Sequence, residues 1–201
     1  MTQHATRPAR PEPTVGTRER LVRTTSRLMQ RQGYEATGIK QISREAGVAL
    51  SSVYHFFPGG KHELAAAGVR QADQEFADIL HRALARADDP AEAIIACTDL
   101  LAEYLRDSDW LDGCPITATA LETAGRAPEI QRAVADTFDH WRAIVADKLH
   151  GAGIAQNDAQ DLAHTVINTL EGAELAAQVS RSAEPLQIAG RHLAKLIDLY
   201  T

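Results

Sequence analysis

The sequence of 201 residues predicts an all-α protein of about nine helices. Apolar residues recur at helical spacing through most of the chain, and no run shows the alternation of apolar and polar residues that is typical of a half-buried strand. Five prolines lie at or near the start of a helical pattern, where a missing N–H costs little because the first amides of a helix have no partner. These are Pro58, Pro90, Pro115, Pro128 and Pro185.

Composition narrows the class of protein further. Hydrophobic residues make up 44% of the chain, which is enough for a packed core. No run approaches the roughly 18–20 apolar residues of a membrane span, and the polar, proline-rich N-terminus lacks the apolar core of a signal peptide. We therefore expect a soluble, cytoplasmic protein without a membrane partner. Cys97 and Cys114 form neither a disulfide framework nor a close metal-ligand spacing, so we expect no metal ion and no cofactor.

Charge is distributed unevenly along the chain. Residues 1–62 carry 10 Lys and Arg against 4 Asp and Glu, whereas residues 63–201 carry 11 against 23. A basic segment on an acidic remainder indicates that only the first part meets a polyanion, unless the distribution arose by chance. Residues 1–16 are rich in proline and arginine and predict a disordered arm, either a plain tail or a contact to DNA.

Residues 17–62, called the head below, carry three helical patterns. The first covers residues 17–32 and stops at Gly33, since glycine favours the end of a helix. Thr37 offers a capping hydroxyl to a second, short helix. The third pattern covers residues 50–56.

The second and third patterns, with a glycine between them, form a helix-turn-helix. Gly47 accepts the backbone conformation of the turn without the penalty of a Cβ atom. The apolar residues expected in the core of the head are Ile39, Ile42, Ala46, Val48 and Val53. A recognition helix in the major groove would then expose Leu50, Ser51, Ser52 and His55.

The run TGIKQISREAGVALSSVYHFFPGGKHEL resembles the DNA-binding signature of the TetR/AcrR family of bacterial transcriptional regulators. That signature has a Thr at the second helix, an Ala-Gly-Val turn, a Tyr-x-x-Phe at the end of the third helix and a Lys at the start of the fourth. The matching residues are Thr37, Ala46, Gly47, Val48, Tyr54, Phe57 and Lys61. The extra glycine in PGGK, and GCPI at 113–116, resemble the branch of the lincomycin-resistance-type repressors.

Two residues depart from the signature. Ala49 opens the third helix where Ser or Thr is common, and it cannot cap, so Ser51 or a neighbour would have to compensate. Phe56 stands where His is common, which leaves His55 as the ring nitrogen donor of this helix.

The resemblance implies a partner, double-stranded DNA with a palindromic operator. Phe57 is expected in the core, whereas Tyr54 presents its hydroxyl to a phosphate, and Lys61 and Thr37 lie at helix N-termini that favour phosphate. Plain packing of Tyr54, a solvated Lys61 and a surface His55 are the alternatives. The predicted DNA contacts are Thr37, Lys40, Leu50, Ser51, Ser52, Tyr54, His55 and Lys61.

Residues 63–201, called the body below, are expected to dimerise, because two heads must reach half-sites about one helical turn or a multiple of it apart. The last two helical patterns carry apolar stripes that suit a four-helix seam between subunits. Packing of these stripes within one chain is the alternative. The residues are Leu162, Val166, Leu170, Ala173 and Ala177 on one helix and Leu193, Leu196, Ile197 and Tyr200 on the other.

The middle of the body is expected to hold a small-molecule effector of unknown identity, since both tryptophans fall there and aromatic walls are normal for such sites. The candidate lining residues are Leu101, Tyr104, Leu105, Trp110, Cys114, Ile116, Leu121, Phe138, Trp141 and Val145. Candidate polar contacts are Glu122, Asn168 and Glu171, which hint weakly at a cationic or hydroxyl-rich ligand. Ordinary core or surface positions remain the alternative for each.

The sequence thus predicts a homodimeric regulator, most simply a repressor that leaves its operator when a small molecule binds the body. In the family, such release is a population shift toward a DNA-incompetent state. The alternatives are an activator, a redox-responsive regulator acting through Cys114, and a DNA-binding protein without an effector. No enzyme is expected, because Cys114 with His140 or His164, and Glu171 with Glu174, lack any catalytic motif around them.

Overall fold

The computed structural model describes residues 16–201, and in that range the chain is all-α, as the sequence predicts. Residues 1–15, which hold nearly all of the predicted arm, lie outside the described range. No described helix is long and apolar enough to cross a membrane. The nine helices of residues 16–201 are α1 (Thr17–Ala36), α2 (Ile39–Glu45), α3 (Leu50–Phe56), α4 (Lys61–Leu84), α5 (Pro90–Asp107), α6 (Pro115–Thr123), α7 (Pro128–Gly151), α8 (Gln156–Ser180) and α9 (Glu184–Ile197).

The prolines start helices, as expected. Pro90, Pro115 and Pro128 are the first residues of α5, α6 and α7, and Pro185 is the second residue of α9. At α5 the preceding Asp89 also caps the helix, because its carboxylate accepts the Glu92 N–H at 2.8 Å. The starts of these four helices could therefore be located from the sequence alone, whereas Pro58 lies in the turn before α4.

Gly33 bends α1 near its end. Its φ of 77° lies in the left-handed region that favours glycine, so the straight part of the helix stops there, as predicted, before a short further turn. The predicted cap at Thr37 is wrong. The N-cap residue of α2 is Gly38, and the Thr37 hydroxyl donates backwards to the Gly33 carbonyl at 2.7 Å.

The head has a small core of its own, which confirms the predicted helix-turn-helix. The turn between α2 and α3 is closed by Ser43, whose hydroxyl donates to the Val48 carbonyl at 2.6 Å. No side chain caps α3, so nothing compensates for Ala49 in the way expected of Ser51. The core side chains are Leu21, Val22, Leu28, Ile42, Ala46, Val48, Val53, Phe57, Leu64 and Ala67, with Ile39 half-buried beside them.

Helices α1 and α4 join the head to the body. They approach closely at Gly68, where a Cβ atom would lie 3.1 Å from the Met29 side chain and 3.3 Å from the Ser26 backbone nitrogen. Because Met29 and Tyr34 belong to the larger core of the body, α1 takes part in both cores. A movement of the body at this crossing would therefore move the head.

The stripes predicted to form a dimer seam lie mostly inside the protomer, where α8 and α9 pack on α5 and α7, so that prediction is wrong for them. The buried members are Leu162, Val166, Leu170, Ala177, Leu193 and Ile197. Ala173 and Leu196 are half-buried against the same core, and only Tyr200 is exposed. Helical spacing identified an apolar face correctly, but spacing alone does not say whether a partner chain or the same chain covers it.

Candidate functional site

The recognition helix α3 presents one polar face to solvent. Val53 is fully buried, as is Phe57 just after the helix, whereas Leu50 and Tyr54 are 38% and 50% exposed. Ser51 and His55 are exposed as well, and the predicted contacts Ser52 and Lys40 are half-buried and exposed, respectively. The face that the sequence assigned to base contact is thus free within residues 16–201.

Tyr54 is oriented by its neighbours rather than by a hydrogen bond. Its ring lies beside Gly60, where a Cβ atom would be 3.7 Å from the Tyr54 ring, and half of the side chain is open to solvent. The ring of His55 packs edge-on against Phe56, with the centroids 5.1 Å apart. Both polar groups therefore remain available to a ligand at the surface of the head.

Lys61, the first residue of α4, is half-buried and already has two partners. Its ammonium donates to the Glu35 carbonyl at 3.2 Å and lies 4.1 Å from the centroid of the Tyr34 ring. Thr37, in contrast, is 1% exposed with its hydroxyl donated inward, so this hydroxyl is not available to a phosphate. The predicted contact through Thr37 is therefore corrected.

A cavity of about 280 Å³ lies in the body between α1, α4, α5, α7 and α8. Five predicted lining residues do line it: Leu101, Tyr104, Cys114, Ile116 and Trp141. The aromatic wall is continued by Phe76, whose ring centroid lies 4.3 Å from that of Trp141. The cavity therefore has an apolar, aromatic interior of a size that suits a small molecule.

The other predicted residues do not line this cavity. Leu105 and Val145 are buried in the core behind it, and Trp110 and Phe138 are half-buried against that core. Leu121 is 75% exposed on α6 and Asn168 is exposed on α8, so these two predictions are wrong for this cavity.

Glu122 and Glu171 were predicted as ligand contacts, but both form hydrogen bonds within the protein and are not part of the cavity lining. The Glu122 carboxylate turns away from the cavity and accepts the Glu35 N–H of the head. Glu171 lies beside the cavity and accepts a short hydrogen bond, 2.5 Å, from the Thr117 hydroxyl. Glu122 is therefore corrected from a ligand contact to a contact between body and head.

Several lining residues were not predicted. Ser26 and Gln30 come from α1, the first helix of the head, and Phe76 and Ile79 come from α4. No local signal marks them, because the cavity forms between helices that are distant in sequence. Glu174 could have been found, since it lies one helical turn after the predicted Glu171, on the same face of α8.

Three groups with acidic protons meet at one end of the cavity. The ligand atoms of Cys114, Glu171 and Glu174 all lie within 4.8 Å of one another. Burial, followed by the neighbouring Glu171 carboxylate, raises the pKa of Glu174 to about 8. Burial also raises the pKa of Glu171, although hydrogen bonds from Thr117 and Cys114 oppose the rise. Glu174 therefore holds its proton at neutral pH, and the pKa of Glu171 is raised beside it.

The same end could hold one cation, although it is not prepared for a metal ion. Burial, followed by the Glu171 and Glu174 carboxylates, raises the pKa of the Cys114 thiol well above its usual range. A metal ligand must be a thiolate, so a metal would first have to displace this proton. The arrangement is better suited to accepting hydrogen bonds and positive charge.

Three contacts tie the cavity region and α6 to the head. Asp112, which lines the cavity, forms an ion pair of 2.9 Å with Arg31 on α1. On α6, Glu122 accepts the Glu35 N–H at 2.9 Å, and Arg126 pairs with the Glu35 carboxylate at 3.1 Å. The head is thus linked to the body on both sides of the Gly33 bend.

Comparison with known proteins agrees with this architecture. The family described as "Bacterial regulatory proteins, tetR family" matches residues 21–67, and "Transcriptional regulator LmrA/YxaF-like, C-terminal domain" matches residues 90–192. The HTH-type transcriptional regulator YxaF of Bacillus subtilis (strain 168) is 31% identical over 180 residues, which cover 90% of this chain and 94% of YxaF. LmrA of the same organism is 30% identical, with 84% and 90% covered.

A solved structure supports the same conclusion. A TetR transcriptional regulator from Chloroflexus aurantiacus J-10-FL has a TM-score of 0.76 at 30% identity, with 90% of this chain and 94% of that chain covered. Fold and head together define a transcriptional regulator with a DNA-binding helix-turn-helix, not an enzyme. The chain belongs to the TetR family and, within it, to the LmrA/YxaF-like branch.

Proposed function

We propose that this regulator is a homodimeric repressor that binds a palindromic operator and leaves it when a small molecule enters the cavity of the body. The single observation that supports DNA reading most strongly is the exposed face of α3. An α-helix with its side chains is about 10–12 Å in diameter, which fits a major groove about 12 Å wide. Leu50, Ser51, Tyr54 and His55 would then face the bases and phosphates.

Dimerisation would use the outer face of α8 rather than the buried stripe. Leu175 and Val179 are 55% and 78% exposed, which is unusual for such apolar side chains on one helix face. Gly172 and Ala176, on the same face, are small enough to let a second helix approach. Ile188 on α9, 42% exposed, extends the apolar surface.

Release by an effector would act through α1. Ser26 and Gln30 place this helix in the cavity wall, while Leu21 and Leu28 of the same helix lie in the core of the head. A ligand that displaces α1 or α6 would therefore reposition the head directly. The effector must bind the DNA-incompetent arrangement more tightly than the competent one, because only a difference in affinity shifts the populations.

The cavity and the cysteine chemistry favour this proposal over two alternatives. A redox switch through Cys114 needs a reactive thiolate, and the raised pKa of this thiol keeps it protonated. A DNA-binding protein without an effector would have no use for a cavity of about 280 Å³ that costs packing energy.

The DNA proposal is tested by fluorescence anisotropy with the DNA upstream of the regulator's own gene, at two salt concentrations with excess competitor DNA. Tight, competitor-resistant binding is expected. Ser51→Glu, which puts a negative charge on the face of α3, should abolish it, whereas Gln160→Glu adds the same charge on α8 and should not. Equal affinities of the two variants would contradict the assignment of α3.

The dimer is tested by sedimentation of the variant in which Leu175 and Val179 are both changed to Glu. This chain is expected to sediment as a monomer and to lose tight operator binding. Leu121→Glu, a charge placed on the exposed part of α6, should remain dimeric. A double variant that stays dimeric would show that the contact lies elsewhere.

A further inference from the structure

Glu174 is a buried acid without a partner. Its side chain is 8% exposed and lines the cavity, and within residues 16–201 it forms neither a hydrogen bond nor an ion pair. Buried polar groups are almost always hydrogen-bonded, because leaving one unpaired is costly. The missing partner of Glu174 therefore points to a group supplied from the cavity.

The charge around the cavity has one sign. Its lining includes three acidic residues, Glu75, Asp112 and Glu174, and no Lys, Arg or His. Asp112 is neutralised by Arg31, and Glu75 accepts a hydrogen bond from Gln71. Glu75 is exposed to solvent, whereas Glu174 is the most deeply buried of the three and has no partner within residues 16–201.

The neighbours of Glu174 increase the demand for positive charge. Glu171 lies on the same helix face, and the Cys114 thiol lies within 4.8 Å of both carboxyls. Neither neighbour can become positive. A cation beside Glu174 would favour the ionised carboxylate and displace its proton, whereas an anionic ligand would oppose that ionisation. A neutral hydroxyl compound would supply only a hydrogen bond.

The opposite wall suits the remainder of a cationic ligand. The rings of Phe76, Tyr104 and Trp141 line the cavity beside the aliphatic Leu101 and Ile79. Aromatic faces attract ammonium groups, and the attraction is strongest where water is excluded. The same rings would cover an apolar body attached to the charge.

We propose that the effector of this cavity is an organic cation with an apolar body, whose positive group pairs with Glu174 beside the aromatic wall. The effector role rests on the proposed ligand response, but the cation site itself does not. Burial and the neighbouring Glu171 raise the pKa of Glu174, and a cation beside the carboxylate would lower it again.

The test uses two probes of the same shape, benzyltrimethylammonium and neopentylbenzene, in which carbon replaces the charged nitrogen. Binding to the full chain is followed by tryptophan fluorescence, since Trp141 lines the cavity. The cation is expected to bind about tenfold or more tightly than its neutral counterpart. Equal binding of the two, or tighter binding of the neutral probe, would overturn the proposal without the need for any variant.

Variants then locate the charge. Glu174→Gln keeps the shape of the side chain, and the preference for the cation should disappear in it. Glu103→Gln removes an exposed carboxylate of α5 outside the cavity lining, so affinity should change by no more than about twofold. A cation preference that survives Glu174→Gln would refute the assignment of this residue.

Two further measurements separate the remaining outcomes. In the first, Zn²⁺ is titrated alone. Tight zinc binding that Cys114→Ser abolishes, together with no binding of benzyltrimethylammonium, would overturn the proposal in favour of a metal site.

In the second, the anisotropy of the operator complex is recorded with each probe. Cation binding that leaves the complex intact supports the cation site and contradicts ligand release, whereas release by the neutral probe alone supports ligand release and overturns the cation site.

Discussion

In the head, the buried hydroxyls of Thr37 and Ser43 each donate to a backbone carbonyl, at 2.7 and 2.6 Å. In the body, Glu174 faces the cavity without a partner, and the buried hydroxyl of Thr119 has none among the described residues. The head is thus a small structure whose polar groups are satisfied, as a rigid reader of DNA requires. The body retains one buried acid, Glu174, that a ligand in the cavity can satisfy, and it gives up some stability to do so.

The largest loss of stability is expected when the centre of the small core of the head is removed. Phe57 is 1% exposed and packs in the core of the head, so Phe57→Ala should lower the free energy of unfolding by about 3–5 kcal/mol. Operator binding should be lost with it. Urea unfolding followed by circular dichroism measures the change.

A neighbouring ring supplies the control. Phe56 is 37% exposed, and Phe56→Ala should cost less than about 1 kcal/mol. If both substitutions cost the same, the head would not depend on a core centred on Phe57.

The buried acid Glu174 in the body should make the free energy of unfolding depend on pH. The pKa of Glu174 is about 8 in the folded chain, above the ordinary value of 4.5, so the folded state holds the proton more tightly. Its contribution is fully present below pH 4.5 and is lost as the pH rises toward 8. Since one pKa unit corresponds to about 1.4 kcal/mol, the loss between the two pKa values is on the order of 5 kcal/mol.

Glu174→Gln should remove this dependence. The variant should equal the native chain in stability near pH 5 and exceed it at pH 9, as measured by urea unfolding at both pH values. Glu103→Gln, on the exposed side of α5, should follow the native profile. A native chain that is as stable at pH 9 as at pH 5 would contradict the burial of an uncompensated acid.

The difference between the head and the body also explains which features could be predicted from the sequence. The head is encoded locally: Ile42, Val48 and Val53 lie close together in the chain, so spacing alone placed them in one core, and the family resemblance added Phe57. Thr37 was misplaced because its hydroxyl has a choice between the helix after it and the Gly33 carbonyl before it. Local spacing does not decide between two partners at similar reach.

The body is encoded at longer range. Leu162 and Leu170 belong to an apolar face, but whether α5, α7 or a second subunit covers that face depends on contacts between distant helices. The cavity likewise unites Ser26 with Glu174, and no pattern within one helix connects them. Trp141 was predictable because large aromatic side chains in an apolar segment are buried wherever the segment packs.

The link between the two regions can be weakened selectively. Glu122→Gln keeps the size of the side chain but loses the charge that strengthens its hydrogen bond to the Glu35 N–H, so it should cost about 1 kcal/mol. Amide exchange at residues 33–38 should become faster, while exchange in α8 stays unchanged. Leu121→Ala, one position earlier and 75% exposed, should leave both rates as they are. Unchanged exchange in Glu122→Gln would mean that α6 does not hold the end of α1.

The smallest effect is expected at Lys61, whose ammonium donates to the carbonyl of the same residue, Glu35. If this ammonium also contacts a DNA phosphate from the start of α4, Lys61→Ala should weaken binding to all DNA sequences alike. The slope of log K against log salt should flatten by about one unit, because one fewer counterion is released. Arg132→Ala, an exposed charge lost from α7, should leave the slope unchanged. An unaltered slope in Lys61→Ala would assign this lysine to the junction between head and body alone, where the Glu35 carbonyl and the Tyr34 ring already occupy it.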